Sequence, residues 1–142
     1  MLKKWVKELA KMNQFKLLYR GSKDGFDAAT FHKKCDDVLG TLTIVKSNLN
    51  KIFGGYTDKS WKGSGSYVQS NDSWIFSITE KSYFKLKGSN NIYAILPSPG
   101  YGPTFGGGHD FYICNNCNTV NSNYSNFNHT YDGSKFSGKT QQ

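Results

Sequence analysis

Hydrophobic and polar positions alternate with different periods along the chain, and each change of period marks an element. Leu2, Trp5, Val6, Leu9 and Met12 recur at helical spacing, with Lys3, Lys4, Lys7 and Lys11 between them. That pattern predicts an amphipathic helix over residues 1–14, packed on the domain by its apolar stripe. Phe15-Lys16-Leu17-Leu18-Tyr19-Arg20 reads as a strand, followed by turn chemistry in Gly21-Ser22-Lys23-Asp24-Gly25. Asp27 is a suitable N-cap for a short helix from Ala28 to about Asp36. On that helix Ala28, Phe31 and Cys35 share a face, so Cys35 reads as a small buried apolar group.

From residue 41 the period becomes two. Thr41–Lys46 and Lys51–Thr57 form a hairpin about Ser47-Asn48-Leu49-Asn50. Gly54 and Gly55, inside the second strand, predict a bulge or a close backbone approach. Residues 59–73 read as a long polar loop holding Trp61 and Tyr67. Ser73–Thr79 is nearly continuously apolar, which predicts a central strand. Tyr83–Leu86, Ile92–Leu96 and Asp110–Cys114 supply further strands, and residues 115–131 form an Asn-rich tail without Lys, Arg, Asp or Glu. Short strands at hairpin spacing with few helices predict an α+β, mainly β fold: a two-sheet antiparallel β-sandwich flanked by short helices.

Composition sharpens this picture. Aromatic residues make up 15% of the chain and can fill a core that has few aliphatics. The length suits a single domain over 1–142. No apolar run is long enough to cross a bilayer, and the N-terminus lacks the apolar region of a signal peptide, so a cytoplasmic setting is expected. Three cysteines give no disulfide framework. Asn71-Asp72-Ser73, Asn123-Tyr124-Ser125 and Asn128-His129-Thr130 fit the glycosylation pattern, but without a secretion signal they read as chance matches. The net charge is +8. Residues 1–51 hold eleven basic against five acidic side chains, and residues 52–142 hold seven against five. Such an excess suits an acidic protein, an anionic membrane or nucleic acid. Nucleic acid is not expected, because the basic residues are not interleaved with aromatics as a stacking platform requires.

The densest punctuation is Tyr101-Gly102-Pro103-Thr104-Phe105-Gly106-Gly107-Gly108-His109-Asp110. A phosphate-binding loop would continue into Gly-Lys-Ser/Thr, whereas this run continues into His109-Asp110. Cys114-Asn115-Asn116-Cys117 with His109 and His129 has zinc-like spacing, but a single CxxC is a weak signal and no metal is expected. His109 and Asp110 with a Ser or Cys elsewhere do not amount to a catalytic triad, which is defined by geometry, and no Gly-x-Ser-x-Gly elbow is present.

Read in order, Phe15–Asp36, Thr41–Ser47, Ile52–Thr57, Trp61 and Tyr101–Asp110 strongly resemble the TLDc domain of the oxidation-resistance proteins. The resemblance runs from about Trp5 to Tyr131. It implies a two-sheet antiparallel sandwich with helices, no established catalytic activity, no cofactor, binding to the cytosolic V1 sector of the V-ATPase, and protection against oxidative stress. The residues that match the family's signature, and so the candidate binding residues, are Arg20, Ser22, Asp24, Gly25, Phe26, Gly54, Gly55, Tyr56, Gly102, Pro103, Thr104, Phe105, Gly106, Gly107, Gly108, His109 and Asp110. TLDc domains usually continue into a final strand rich in Glu and aromatics. Here Gly133-Ser134-Lys135-Phe136-Ser137-Gly138 precedes Gln142, so that strand is expected to be missing. A strand of a larger assembly would then complete the sheet, making the chain a structural subunit. An enzyme using His109, Asp110 and Cys35 in redox or hydrolytic chemistry is the third reading.

Overall fold

The computed structural model describes residues 15–123, 125, 126 and 128–133. The expected N-terminal helix and any closing strand after residue 133 lie outside the described residues.

Two short helices open the described chain, α1 (Gly21–Asp24) and α2 (Ala28–Cys35). Four strands follow: β1 (Thr41–Lys46), β2 (Ile52–Thr57), β3 (Trp74–Ser77) and β4 (Ser82–Lys85). A 3₁₀ segment over Gly88–Tyr93 leads to β5 (Thr104–Phe105) and β6 (Phe111–Tyr112). Strands β1-β2-β3-β4 form one antiparallel sheet in that order, and β5-β6 form a second. The fold is therefore α+β and mainly β.

α2 starts where its sequence directs. The Asp27 carboxylate accepts the Thr30 N–H at 2.9 Å, and Ala28, Phe31 and Cys35 are buried on one face. β3 is central and apolar, as its composition requires.

Elsewhere the structure departs from the local pattern. Residues 15–20 are not a strand: Leu18 and Tyr19 both turn inward, which breaks a period of two, and no ladder forms there among the described residues. Residues 21–24 are a helical turn instead of a loop. Of the expected strand 92–96, only Ile95 pairs, bridging Val68 on one side and Phe105 on the other. The polar loop 59–73 is anchored in the core by Trp61, which is buried and donates from Nε1 to the Thr41 hydroxyl at 2.9 Å, while residues 62–67 are exposed.

The Gly54-Gly55 pair carries no bulge, since β1 and β2 stay in register from Thr41↔Thr57 to Lys46↔Ile52. It does permit close approach. A Cβ on Gly55 would lie 2.8 Å from the Phe105 ring, and one on Gly54 would strike the Thr43 carbonyl. Phe105 thus lies against β2 and joins the two sheets. From it a line of edge-to-face rings runs through Trp61 (5.4 Å) and Phe31 (5.7 Å) to Tyr19 (5.6 Å).

Candidate functional site

The glycine-rich segment is a hairpin. β5 leaves it at Phe105, the chain turns through residues 106–109, and β6 returns antiparallel from Phe111. Gly106 has φ +89°, Gly108 has φ +70° and His109 has φ +64°. The left-handed geometry at the first two is the reason glycine stands there. Gly106 N–H donates to Ala94 O at 3.0 Å and Gly107 N–H to the Thr130 hydroxyl at 2.8 Å. Gly108 N–H reaches the Tyr67 hydroxyl at 3.2 Å. These amides are spent on the protein itself, so the turn is not an anion cradle. Before the turn, Gly102 N–H donates to Ile113 O, while Pro103 O accepts the Ile113 N–H. Thr104 donates its hydroxyl to Gly102 O at 3.0 Å.

Asp110 is wholly buried. Its carboxylate accepts the backbone N–H of Thr130, at 3.1 and 3.3 Å, and of Tyr131 at 3.0 Å. Burial pushes its carboxyl up to about 6, while the two backbone N–H groups pull the other way. The side chain therefore pins segment 128–131 under the turn, and Tyr131 continues the anchor by donating its hydroxyl to Ala94 O at 2.7 Å. The His109 ring stacks against Tyr112 at 5.3 Å and meets Tyr101 edge-on at 6.0 Å. Burial holds its pKa below the usual histidine range, against a smaller upward pull from the Gly106 backbone. Asp110 and His109 thus serve different neighbours and do not form an acid–base pair.

The earlier signature closes on itself in the same manner. Arg20 N–H donates to the Asp24 carboxylate at 2.8 Å, and Arg20 O accepts the amides of Lys23 and Asp24. Gly25, at φ +111°, offers its carbonyl to the Tyr19 hydroxyl at 2.6 Å. Phe26 packs its ring where a Cβ on Gly21 would lie, and its carbonyl accepts the Asn116 N–H at 2.9 Å. Ser22 is exposed, and Tyr56 is half-buried on the face of β2 opposite Phe105, stacked on Trp74 at 5.6 Å. Arg20–Phe26, Gly54–Tyr56 and Gly102–Asp110 meet through the core, by way of Gly55, Phe105 and the Tyr19–Phe31–Trp61 line.

A profile of the TLDc domain matches residues 1–142, the whole chain. The chain belongs to the TLDc domain family. No curated protein matches it.

Several residues that hold this TLDc domain together gave no local signal. His32 is buried, with Nδ1 2.6 Å from the Asp36 carboxylate and Nε2 2.7 and 2.8 Å from the carbonyls of Ser98 and Tyr101. It clips α2 to the start of the glycine-rich hairpin. The spacing of four on a helix pairs His32 with Asp36, but only the fold brings in residues 98 and 101. Asn115 accepts the Ala28 N–H at 2.7 Å at the start of α2, and Asn123 accepts the Cys114 N–H at 2.8 Å. With Asn128, which accepts the Gly133 N–H at 3.1 Å, these Asn side chains cap backbone amides, a role for which Asn is chemically suited.

All three cysteines are free, and Cys35 and Cys114 are buried. Cys35 is buried, and burial raises its thiol to about 11, which keeps it protonated and unreactive. Burial also raises Cys117, with Cys114 adding to the effect. Among the described residues no three His, Cys, Asp or Glu side chains are grouped to hold a metal ion, so Cys114, Cys117, His109 and His129 do not gather as a zinc set.

Proposed function

We propose that this TLDc domain is a non-enzymatic protein-interaction module whose partner is the V1 sector of the V-ATPase, with oxidative-stress protection as the downstream effect. The observation that supports it is the fate of the signature residues. The side chains best equipped for chemistry, Asp110, His109 and Cys35, are engaged in anchoring and packing. A chain of net charge +8 is suited to an acidic protein surface. Among the described residues no helix is long and apolar enough to cross a membrane. A partner on the cytosolic side of a membrane enzyme fits a cytoplasmic module.

The experiment is retention of purified V1 on the immobilised 1–142 chain at low and at physiological salt, together with the effect on V1 ATPase activity. Saturable retention that weakens as salt rises supports the reading. No retention at either ionic strength removes V1 as the partner.

A further inference from the structure

Among the described residues β2 is the one neighbour of β1, so β1 ends the four-stranded sheet. In an antiparallel pair, successive residues alternately bond their neighbour and aim their backbone groups away from it. Two hydrogen bonds fix the phase of that alternation. Ser47 N–H donates to Lys51 O at 2.9 Å, and Ile78 N–H donates to Ile52 O at 2.8 Å. Hence Thr41, Thr43 and Val45 bond β2, while the amides and carbonyls of Leu42, Ile44 and Lys46 point outward from the sheet. No hydrogen bond from the described residues reaches those three.

The side chains around this edge fit an added strand. Ile44 is 62% exposed and Leu42 is half-buried on one face; Thr43 and Val45 are half-buried on the other. A guest strand would cover aliphatic or β-branched groups on both its faces. Lys46 ends the edge without an ion pair among the described residues, whereas nearby Lys51 bonds Glu80 at 3.0 Å and Lys59 bonds Asp58 at 3.1 Å. A second copy would match the register, Ile44 opposite Ile44 and Leu42 opposite Lys46, but would bring +8 against +8. The charge selects an acidic guest.

We propose that the outer edge of β1 takes an extended segment of a partner protein by strand addition, with apolar residues beside Leu42 and Ile44 and a carboxylate beside Lys46. This rests on the domain being a protein-interaction module and names the surface and the chemistry of its partner.

The probe is a blocked peptide, Glu-Val-Thr-Val-Thr-Val-Glu, and its counterpart with Lys in place of both Glu, titrated into the isotope-labelled 1–142 chain. At about ten times its Kd the acidic peptide slows amide exchange at Leu42, Ile44 and Lys46 about 10-fold, because only the free fraction exchanges there. Thr43 and Val45, already bonded to β2, change little. Ile44→Pro removes an outward N–H, a change an edge strand tolerates, and abolishes the protection while thermal melting stays cooperative. Should that variant not fold, Ile44→Lys is used with the same readout and is expected to abolish binding. Unchanged exchange at the three amides, equal protection by the Lys peptide, or a dimer that protects them without peptide each overturns the proposal. Retention of V1 by wild type and Ile44→Pro alike also overturns it and leaves the V1 reading standing. Loss of V1 retention in the wild type with the edge still protected by peptide removes V1 alone.

Discussion

Protonation of Asp110 links the glycine-rich turn to pH, and the link has a definite sign. Burial outweighs the N–H groups of Thr130 and Tyr131 and pushes the folded carboxyl up to about 6, from 3.8 for an ordinary aspartate. The folded state therefore binds a proton more tightly than the unfolded chain. This group's favourable contribution is fully present below about pH 4 and is lost as pH rises through 6. The rise from 3.8 to about 6 corresponds in full to about 3 kcal/mol. Between pH 5 and pH 7.5 the portion lost is on the order of 1 kcal/mol. Asp110→Asn cannot titrate, so it removes this slope whatever it does to stability overall. The measurement is denaturant unfolding of both proteins at the two pH values, with the wild-type carboxyl followed directly by carbon NMR. The wild type is expected to lose on the order of 1 kcal/mol more than the variant on going to the higher pH. Equal slopes would refute the claim that burial dominates. A wild type that gains stability relative to Asp110→Asn would mean that the two amides win and hold the carboxyl below its unfolded value.

Three further predictions concern the scaffold. Gly106→Ala places a Cβ at φ +89° against the Asp110 carboxylate and should cost on the order of 3 kcal/mol, whereas Gly100→Ala, with nothing within 4 Å, should stay within about 0.5 kcal/mol; chemical denaturation of the pair decides. Trp61→Phe leaves the buried Thr41 hydroxyl without its donor and should cost about 1–3 kcal/mol, part of it regained in the Trp61→Phe/Thr41→Val double variant; thermal unfolding of the full cycle measures the coupling. Asn115→Ala removes the acceptor for Ala28 N–H and should cost about 1 kcal/mol, with faster amide exchange confined to the first turn of α2; exchange that rises across the whole domain instead would show that the cap is not local.

How much of this was legible depends on the range of the interaction that decides each element. The helix after Asp27 and the β1–β2 hairpin rest on contacts within a few residues, and their patterns predict them within one residue at each end. Residues 15–20 and 92–96 have strand composition, yet strand composition does not supply a partner. The first segment turns two successive side chains inward, and the second is drawn into a 3₁₀ turn with one paired residue, Ile95. The candidate site follows the same division. Gly106 and Gly108 announce a turn through their lack of Cβ, but nothing near Asp110 in sequence indicates that it binds amides twenty residues later. His32 and Asn115 act over 66 and 87 residues, beyond the reach of any local pattern.

The arrangement separates what identifies this domain from what it would use to bind. Gly55, Phe105, Gly106 and Asp110 make the sequence recognisable, and each is buried where a change disturbs packing between the two sheets. Residues so placed are accountable to one another and cannot vary to suit a partner. On the proposed strand addition, partner choice resides in groups outside that frame, Ile44 and Lys46 on the β1 edge, which are exposed. It follows that substituting a signature residue and losing V1 retention is weak evidence for contact, since loss of the fold gives the same result. A surface substitution that leaves unfolding unchanged and alters the salt dependence of retention is the informative one, because rim charges act on encounter and screening while the core is untouched.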